Sequence, residues 1–266
     1  GPVPGRHTAM WKQNEFDPRT GNRLRTIPEG ALASVRLGDH KPGGLAEGIK
    51  YEYMVDTAEA KILLMKYAVV LQKPGHGPSF DPGFMLEILD ENGNKIDPSC
   101  GVFRFTPEQG DFWHEHNTYV WKDWTAIGLN LEAYHGKLVY VHLVTQDCTK
   151  PQYGGHTGYA YFTLDCIAAA ISNNSCGETV TIEMEAPEGF EYFWTNERDR
   201  NKVISNKQKI DVPADDITTY YCEVRYKGLP GCGFELHTEV KPRFAYADFV
   251  WEHKPENCEN KVLFTN

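Results

Sequence analysis

The chain has 266 residues and a formal net charge of −10, from 27 Lys and Arg against 37 Asp and Glu. This acidic balance, without a basic stripe, disfavours nucleic acid and anionic membranes as partners, because both are negatively charged. Hydrophobic residues make up 41% of the chain, which is enough to build folded cores and excludes wholesale disorder. The longest apolar runs, such as residues 62–65, are too short to span a bilayer, so no membrane insertion is expected.

Residues 1–30 are polar and are punctuated by proline and glycine. The opening stretch, residues 1–5, is typical of a protease scar followed by a linker. We therefore expect residues 1–30 to be a tag and an extended lead-in.

Residues 31–168 alternate between strand-like runs and turn signals. The run at residues 61–71 is almost continuously apolar, and its β-branched and aromatic residues favour a buried strand over a helix. Asn92 and Gly93 lie between two apolar runs, which is the strongest short-range signal for a hairpin. Eight or nine such strands, with no strong helix, predict an all-β, antiparallel sandwich.

A polar break at residues 172–175 separates this region from a second set of alternating strands at residues 175–242. The short strands predict a smaller Ig-like sandwich with Trp194 in its core. Tyr220 stands two residues before Cys222, the place of an Ig-type tyrosine corner. Residues 243–266 are expected to open a third module that the end of the chain truncates.

Seven cysteines occur without CxxC pairing, which disfavours a zinc ribbon or a thioredoxin-like site. Scattered among predicted strands, they indicate disulfides and an oxidising compartment, although buried free thiols are an alternative. Cys176 is expected to pair with either Cys222 or Cys232. The other disulfide candidates are Cys100, Cys148 and Cys166; Cys258 is expected to have lost its partner with the rest of a longer secreted protein.

Several motifs occur in order along the chain and together resemble a known family. They are residues 34–39, 74–76, 88–94, 121–125, 147–148 and 155–161. The set resembles a jelly-roll-like module of very large secreted bacterial surface proteins of the gliding-motility and adhesin type. This resemblance implies an Ig-like repeat at residues 176–240, a PKD-like module at the C-terminus, further modules of the same polypeptide, and an adhesive or scaffold role at the cell surface. One departure is an extra segment at residues 149–153, beside a possible ligand loop.

No sequence motif of a known catalytic site is present: GxSxG, HExxH, the P-loop and GxGxxG are all absent. We therefore expect no enzymatic activity and no cofactor other than a possible structural calcium. A hydrolase would need two convergent carboxylates or a bound metal.

His114 and His116 are two positions apart, so on a strand both imidazoles could face one metal ion, with Asp111 or His135 as a third ligand. The alternative is a solvated polar loop. Asp147 and His156 could likewise meet across a loop, either at a ligand site or as a structural pair in which the carboxylate orients the imidazole.

Calcium prefers oxygen ligands, and Asp39, Glu47 and Asp165 supply carboxylates in the region of the predicted sandwich. Their spacing matches no dedicated calcium loop.

Trp113 lies in a polar stretch and is a candidate platform for a sugar ring, whereas Trp121 and Trp124 are expected in the core.

The leading hypothesis is a non-catalytic adhesion or scaffold module with a surface-protein or glycan partner. The alternative is a carbohydrate-binding module at residues 31–168 that targets a neighbouring activity.

Overall fold

The computed structural model describes residues 2–57, 62–73, 80–97, 99–107, 113–148, 155–167, 171–173, 181–229 and 231–241. Within these ranges the protein is all-β, as predicted, and it folds as two antiparallel sandwiches. The expected third module at residues 243–266 lies outside the described residues.

The larger sandwich consists of a six-stranded and a four-stranded sheet. The six-stranded sheet has the order β1-β2-β10-β4-β8-β7 and the four-stranded sheet has the order β3-β9-β5-β6. In chain order the strands are β1 His7–Met10, β2 Ser34–Leu37, β3 Ala46–Met54, β4 Ile62–Gln72, β5 Gly83–Leu89, β6 Val102–Phe105, β7 His114–His116, β8 Tyr119–Asn130, β9 Leu138–Gln146 and β10 Gly158–Ile167.

Strand β4 lies at the centre of the six-stranded sheet, between β10 and β8. Its alternate residues, including Tyr67 and Val69, face the core between the two sheets. The residues between them, Ala68 and Val70, face a second apolar layer on the outside of the same sheet. Burial on both faces explains why residues 62–71 are almost continuously apolar rather than alternating.

The outer layer is covered by the N-terminal segment. Strand β1 pairs with β2, Leu24 packs against Tyr159 and Tyr161, and the buried carboxylate of Asp17 accepts a 2.8 Å hydrogen bond from each of these two tyrosine hydroxyls. Residues 2–30 therefore do not form the extended lead-in that the sequence predicted for residues 1–30. The segment from β1 onward is part of the larger sandwich. Its composition is mostly polar, and only a few of its residues make the buried contacts that attach it to the sheet.

The smaller sandwich consists of two three-stranded sheets, with the orders β11-β12-β14 and β13-β15-β16. Its strands are β11 Ser172–Asn173, β12 Thr181–Glu185, β13 Glu191–Asn196, β14 Lys209–Pro213, β15 Thr218–Arg225 and β16 Gly233–Val240. Alternating apolar residues fill its core, because successive side chains of a strand point to opposite faces. Trp194 is fully buried there, as predicted.

The two sandwiches share one continuous hydrophobic cluster. At their junction, the hydroxyl of Tyr226 donates to the carbonyl of Gly128, and the ring of Phe234 lies against the same glycine. A disulfide between Cys100 and Cys232 links the larger sandwich covalently to the smaller one.

This disulfide corrects the predicted pairing of Cys176 with Cys222 or Cys232. Cys222 lies opposite Trp194 inside the smaller sandwich, where it keeps a free thiol whose pKa burial raises to about 12. Cys232 precedes β16 at the junction and pairs with Cys100 instead. Cys148 is buried, while the side chain of Cys166 and the whole of Cys176 and Cys258 lie outside the described residues.

Candidate functional site

The predicted histidine motif forms β7, the edge strand that pairs with β8. The Nε2 atom of His114 lies 2.8 Å from Oδ2 of Asp123, and the imidazole stacks on Trp121 with ring centres 5.1 Å apart. Oδ1 of Asp123 accepts a 3.1 Å hydrogen bond from the Trp121 indole. Asp123 therefore fixes both the imidazole and the indole.

His116 has a different environment, against the backbone of Gly21. His135 lies near Thr57, whose backbone N–H donates to its Nδ1 at 3.3 Å; Asp111 is outside the described residues. In the part of the chain that the structure describes, no group of three or more His, Cys, Asp or Glu could hold a metal ion. Among the described residues, His114 and His116 thus have different surroundings and share no third ligand.

Trp113, predicted as a sugar platform, is half-buried and meets Phe105 edge to face with ring centres 6.3 Å apart. It also packs against the main core. Of the other two tryptophans, Trp121 is buried, as expected, whereas Trp124 is only half-buried. Trp113 and Trp124 are therefore both half-buried.

Asp147 is buried, but its carboxylate is anchored mainly by backbone groups. It accepts hydrogen bonds from the N–H of Gly158 at 3.2 Å and of Leu45 at 3.4 Å. A guanidinium nitrogen of Arg6 lies 3.9 Å away. Desolvation raises the pKa of Asp147, and the two backbone hydrogen bonds oppose this shift. His156 meets this region through its carbonyl, which accepts from the N–H of Cys148.

The predicted calcium ligands have protein partners or an undescribed side chain. The Glu47 carboxylate forms an ion pair with Arg6 and lies 3.4 Å from the Thr145 hydroxyl. Asp39 accepts from the backbone N–H of Lys41 at 2.8 Å. Asp165 lies on β10 opposite Leu64, and its side chain is not among the described parts of the structure. Glu47 and Asp147 thus share Arg6, which reaches them from the N-terminal segment.

A groove at the junction of the two sandwiches is the main candidate site. Its volume is about 360 Å³, and residues from both sandwiches line it. The larger sandwich contributes His114, Lys122, Asp123 and Trp124, and the smaller one contributes Glu191 and Lys227. The volume falls within the range of about 300–1,000 Å³ that is usual for small-ligand sites.

A β-bulge in β8 explains how Asp123 and Trp124 reach this groove. Lys122 pairs with Val69 and Thr125 pairs with Tyr67, so two residues of β8 lie opposite the single residue Ala68. The extra residue shifts the alternation of faces, and a bulge of this kind re-aims side chains. As a result, Trp121 and Trp124 pack on the same side of the sheet although they are three positions apart.

Local contacts hold the groove residues in place. The indole N–H of Trp124 donates to the carbonyl of Arg25 at 2.9 Å, so the N-terminal segment orients this ring. The Lys122 ammonium lies 4.7 Å from the ring centre of Phe105, and desolvation lowers the pKa of Lys122.

The sequence did not predict this groove, because strand β8 and the turn at Lys227 are about a hundred residues apart. The available signal was the pair of consecutive polar residues, Lys122 and Asp123, which interrupts the mostly apolar strand β8 just before Trp124.

No protein-family model matches the chain, and no curated protein matches it either. Solved structures with a distant likeness include an Endo-D glycoside hydrolase domain from Streptococcus pneumoniae, at 14% identity and a TM-score of 0.27, with 88% of this chain and 37% of that one covered. The chain thus spans well under two thirds of that domain.

Two surface proteins show a similarly distant likeness. The adhesin domain of Epf from Streptococcus pyogenes has 11% identity and a TM-score of 0.19, covering 89% of this chain and 92% of that one. A putative membrane-anchored protein from Corynebacterium diphtheriae has 11% identity and a TM-score of 0.21, covering 85% and 56%. At these scores the likeness establishes neither fold nor function. Over the described residues, no helix is long and apolar enough to cross a membrane.

Proposed function

We propose that the chain is a non-catalytic pair of docked modules from a larger secreted surface protein, with an adhesive or scaffold role. The observation that supports this proposal is the covalent and apolar junction between the sandwiches. Cys100 and Cys232 cross-link them, and their cores are continuous. A pair of modules fixed in this way transmits force and holds a constant length, which a scaffold requires.

Polar contacts at the junction add to the support for a fixed arrangement. Lys66 of the larger sandwich forms an ion pair with Glu188 of the smaller one. The Tyr226 hydroxyl, which donates to Gly128, is itself buried. An intramolecular hydrogen bond of this kind stabilises the folded state by about 0.5–1.5 kcal/mol net, so separation of the sandwiches is opposed by more than apolar contact.

The proposed location follows from the chemistry of the cross-link. Stable disulfides between protein modules form in oxidising compartments, which suits secretion. Membership of the gliding-motility or adhesin type of protein remains a proposal that rests on the motif resemblance, as do the further modules and a surface-protein or glycan partner. The Ig-like and PKD-like assignments belong to the same proposal.

Carbohydrate binding is the second candidate function, and the junction groove favours it. Sugar sites combine an aromatic face with a few polar groups, and Trp124 lies beside His114, Asp123 and Glu191 in this groove. A module of this kind would direct a neighbouring activity to its polysaccharide.

Two measurements test the leading proposal. An antibody to the chain should label intact cells of the producing organism; labelling only after permeabilisation would contradict a surface location. The purified, oxidised protein should release no reducing ends from a panel of polysaccharides. Release that is lost in Asp123→Asn or Glu191→Gln would show that the groove is catalytic, since both carboxylates line it.

A further inference from the structure

Strand β3 forms an open edge of the larger sandwich. It has nine residues, which makes it the longest edge strand in the described part of the chain, and its one strand partner there is β9. An edge strand presents a row of backbone N–H and C=O groups with which another strand can pair. We propose that β3 pairs antiparallel with β3 of a second copy of the chain. The result is a two-fold symmetric dimer, in which both copies use the same surface.

The charged residues of β3 specify the register of this pairing. With the two-fold axis at Tyr51, Lys50 of each copy lies directly opposite Glu52 of the other. The two side chains are exposed and share one face of the sheet, because they are two positions apart. Opposite charges directly across two strands attract and like charges repel. This register therefore gives two cross-strand ion pairs, whereas an axis at Lys50 or at Glu52 would place like charges opposite each other.

Both charges are available for such pairs. Neither Lys50 nor Glu52 has an ion-pair partner among the residues that the structure describes. The Lys50 ammonium lies 3.5 Å from the ring centre of Tyr140 on β9, a contact that leaves its charge in place. A single lysine on an edge strand discourages pairing with a copy. Glu52 of the second copy offsets that effect for β3.

The other pairs of this register are also compatible. Met54, which is 59% exposed, comes opposite Gly48, which has no side chain to obstruct it. Ile49 comes opposite Tyr53, and both are half-buried. Tyr51 is 39% exposed and comes opposite its own copy. Aromatic and apolar cross-strand pairs stabilise a sheet, so the dimer covers side chains that the single chain leaves exposed.

Strand β16 is an edge strand of similar length that lacks this self-complementarity. It has eight residues and lies at the edge of its sheet, but its charged residues, Glu235 and Glu239, are both acidic. Each of them has a cation in the same sandwich, Arg200 for Glu235 and Lys241 for Glu239. A second β16 carries no lysine or arginine to offset them, so the dimer contact belongs to β3.

Sedimentation velocity of the full, oxidised chain tests the pairing, and charge variants test its register. The wild type should shift from monomer to dimer as its concentration rises. Lys50→Glu should weaken this association at least about ten-fold, because both cross-strand pairs then join two carboxylates. Glu52→Lys should weaken it similarly, because both pairs then join two ammonium groups. Lys202→Glu makes the same charge change at an exposed position of the smaller sandwich; it is the matched control and should dimerise like the wild type.

Two rescue experiments distinguish lost pairing from lost folding. An equimolar mixture of the Lys50→Glu and Glu52→Lys chains should form a heterodimer with about the wild-type affinity, since two carboxylates then face two ammonium groups. A chain that carries both substitutions should dimerise with itself, since opposite charges again face each other at both pairs. Circular dichroism of each single variant should show the wild-type β spectrum.

Three results would overturn the proposal. A wild type that stays monomeric up to about 1 mM would leave the β3 edge to a different partner. Dimerisation that Lys50→Glu leaves unchanged, or that neither rescue restores, would show that β3 does not pair in this register. A dimer that persists in SDS and disappears on reduction would be joined through cysteines instead. The proposed surface location, which antibody labelling tests, does not depend on any of these results.

Discussion

Cys100 and Cys232 are 132 positions apart in the chain, yet their sulfur atoms form a disulfide with the Cα atoms 5.4 Å apart. The bond joins a loop of the larger sandwich to the segment that leads into β16 of the smaller one. It lies beside an apolar junction that already connects the two cores. The cross-link therefore reinforces a contact that packing also favours.

Loss of this disulfide should destabilise the protein. Cys100→Ser combined with Cys232→Ser should lower the free energy of unfolding by about 2–5 kcal/mol, since a long closed loop is released in the unfolded chain. Urea denaturation of the oxidised protein and of the double variant measures the difference. The reduced wild type is the control and should match the double variant; an unchanged urea midpoint in both would contradict the account.

Gly189 tests the apolar part of the junction. Its φ is +100°, and an added Cβ would lie 2.8 Å from Cβ of Ala126 in the other sandwich. Gly93 has a similar φ of +79°, but an added Cβ there would meet nothing within 4 Å. Gly189→Ala should therefore lower the free energy of unfolding by about 1–3 kcal/mol more than Gly93→Ala. Equal effects in thermal or urea unfolding would show that Gly189 and Ala126 are not in contact.

Asp17 anchors the N-terminal segment to the larger sandwich. Its carboxylate accepts from Tyr159, Tyr161 and the backbone N–H of Arg19. Asp17→Asn replaces one acceptor oxygen with an NH₂ group, so either the two tyrosine hydroxyls or the Arg19 N–H loses its acceptor. We expect a loss of about 2–4 kcal/mol in urea unfolding. Asp216→Asn removes only a solvent-exposed ion pair with Arg198, so it should change stability by less than about 1 kcal/mol.

The strand pattern was predictable from the sequence, whereas these long-range contacts were not. The apolar residues Phe84, Leu86 and Ile88 alternate along one strand and so show which of its faces is buried. This can be read from neighbouring residues alone. The covering of Tyr159 and Tyr161 by a polar segment depends on a partner more than a hundred residues away. The pairing of Cys100 with Cys232 depends in the same way on the packing of one sandwich on the other.

The candidate site was predictable only in fragments. His114 stood out as part of a motif, but its partner Asp123 is specified by the pairing of β7 with β8. The bulge that places Trp124 in the groove depends on the register of β8 against β4. Lys227 and Glu191 come from the other sandwich, so no local pattern connects them with His114.

Alkaline pH should unfold the protein through its buried tyrosines. Desolvation raises the pKa of Tyr67, Tyr159 and Tyr161, and it raises the pKa of Tyr226 to about 12. The folded state therefore holds these protons more tightly than the unfolded state. Their contribution to stability is present below the unfolded pKa of about 10 and is lost as the pH rises above it.

Ultraviolet absorbance of tyrosinate and circular dichroism, followed together from about pH 9 to about pH 12, measure this effect. We expect these buried tyrosines to ionise only together with the loss of β structure. Ionisation of all 14 tyrosines near pH 10 without unfolding would contradict the burial of these four hydroxyls.

The central claim is that the two sandwiches form one rigid unit, and residual dipolar couplings of backbone N–H groups test it most directly. In a weakly aligning medium, the couplings of both sandwiches in the oxidised protein should fit a single alignment tensor when the structure is used as one body. Two tensors of clearly different magnitude would show that the sandwiches move independently, and the proposed fixed scaffold and the two-sided groove would both be wrong.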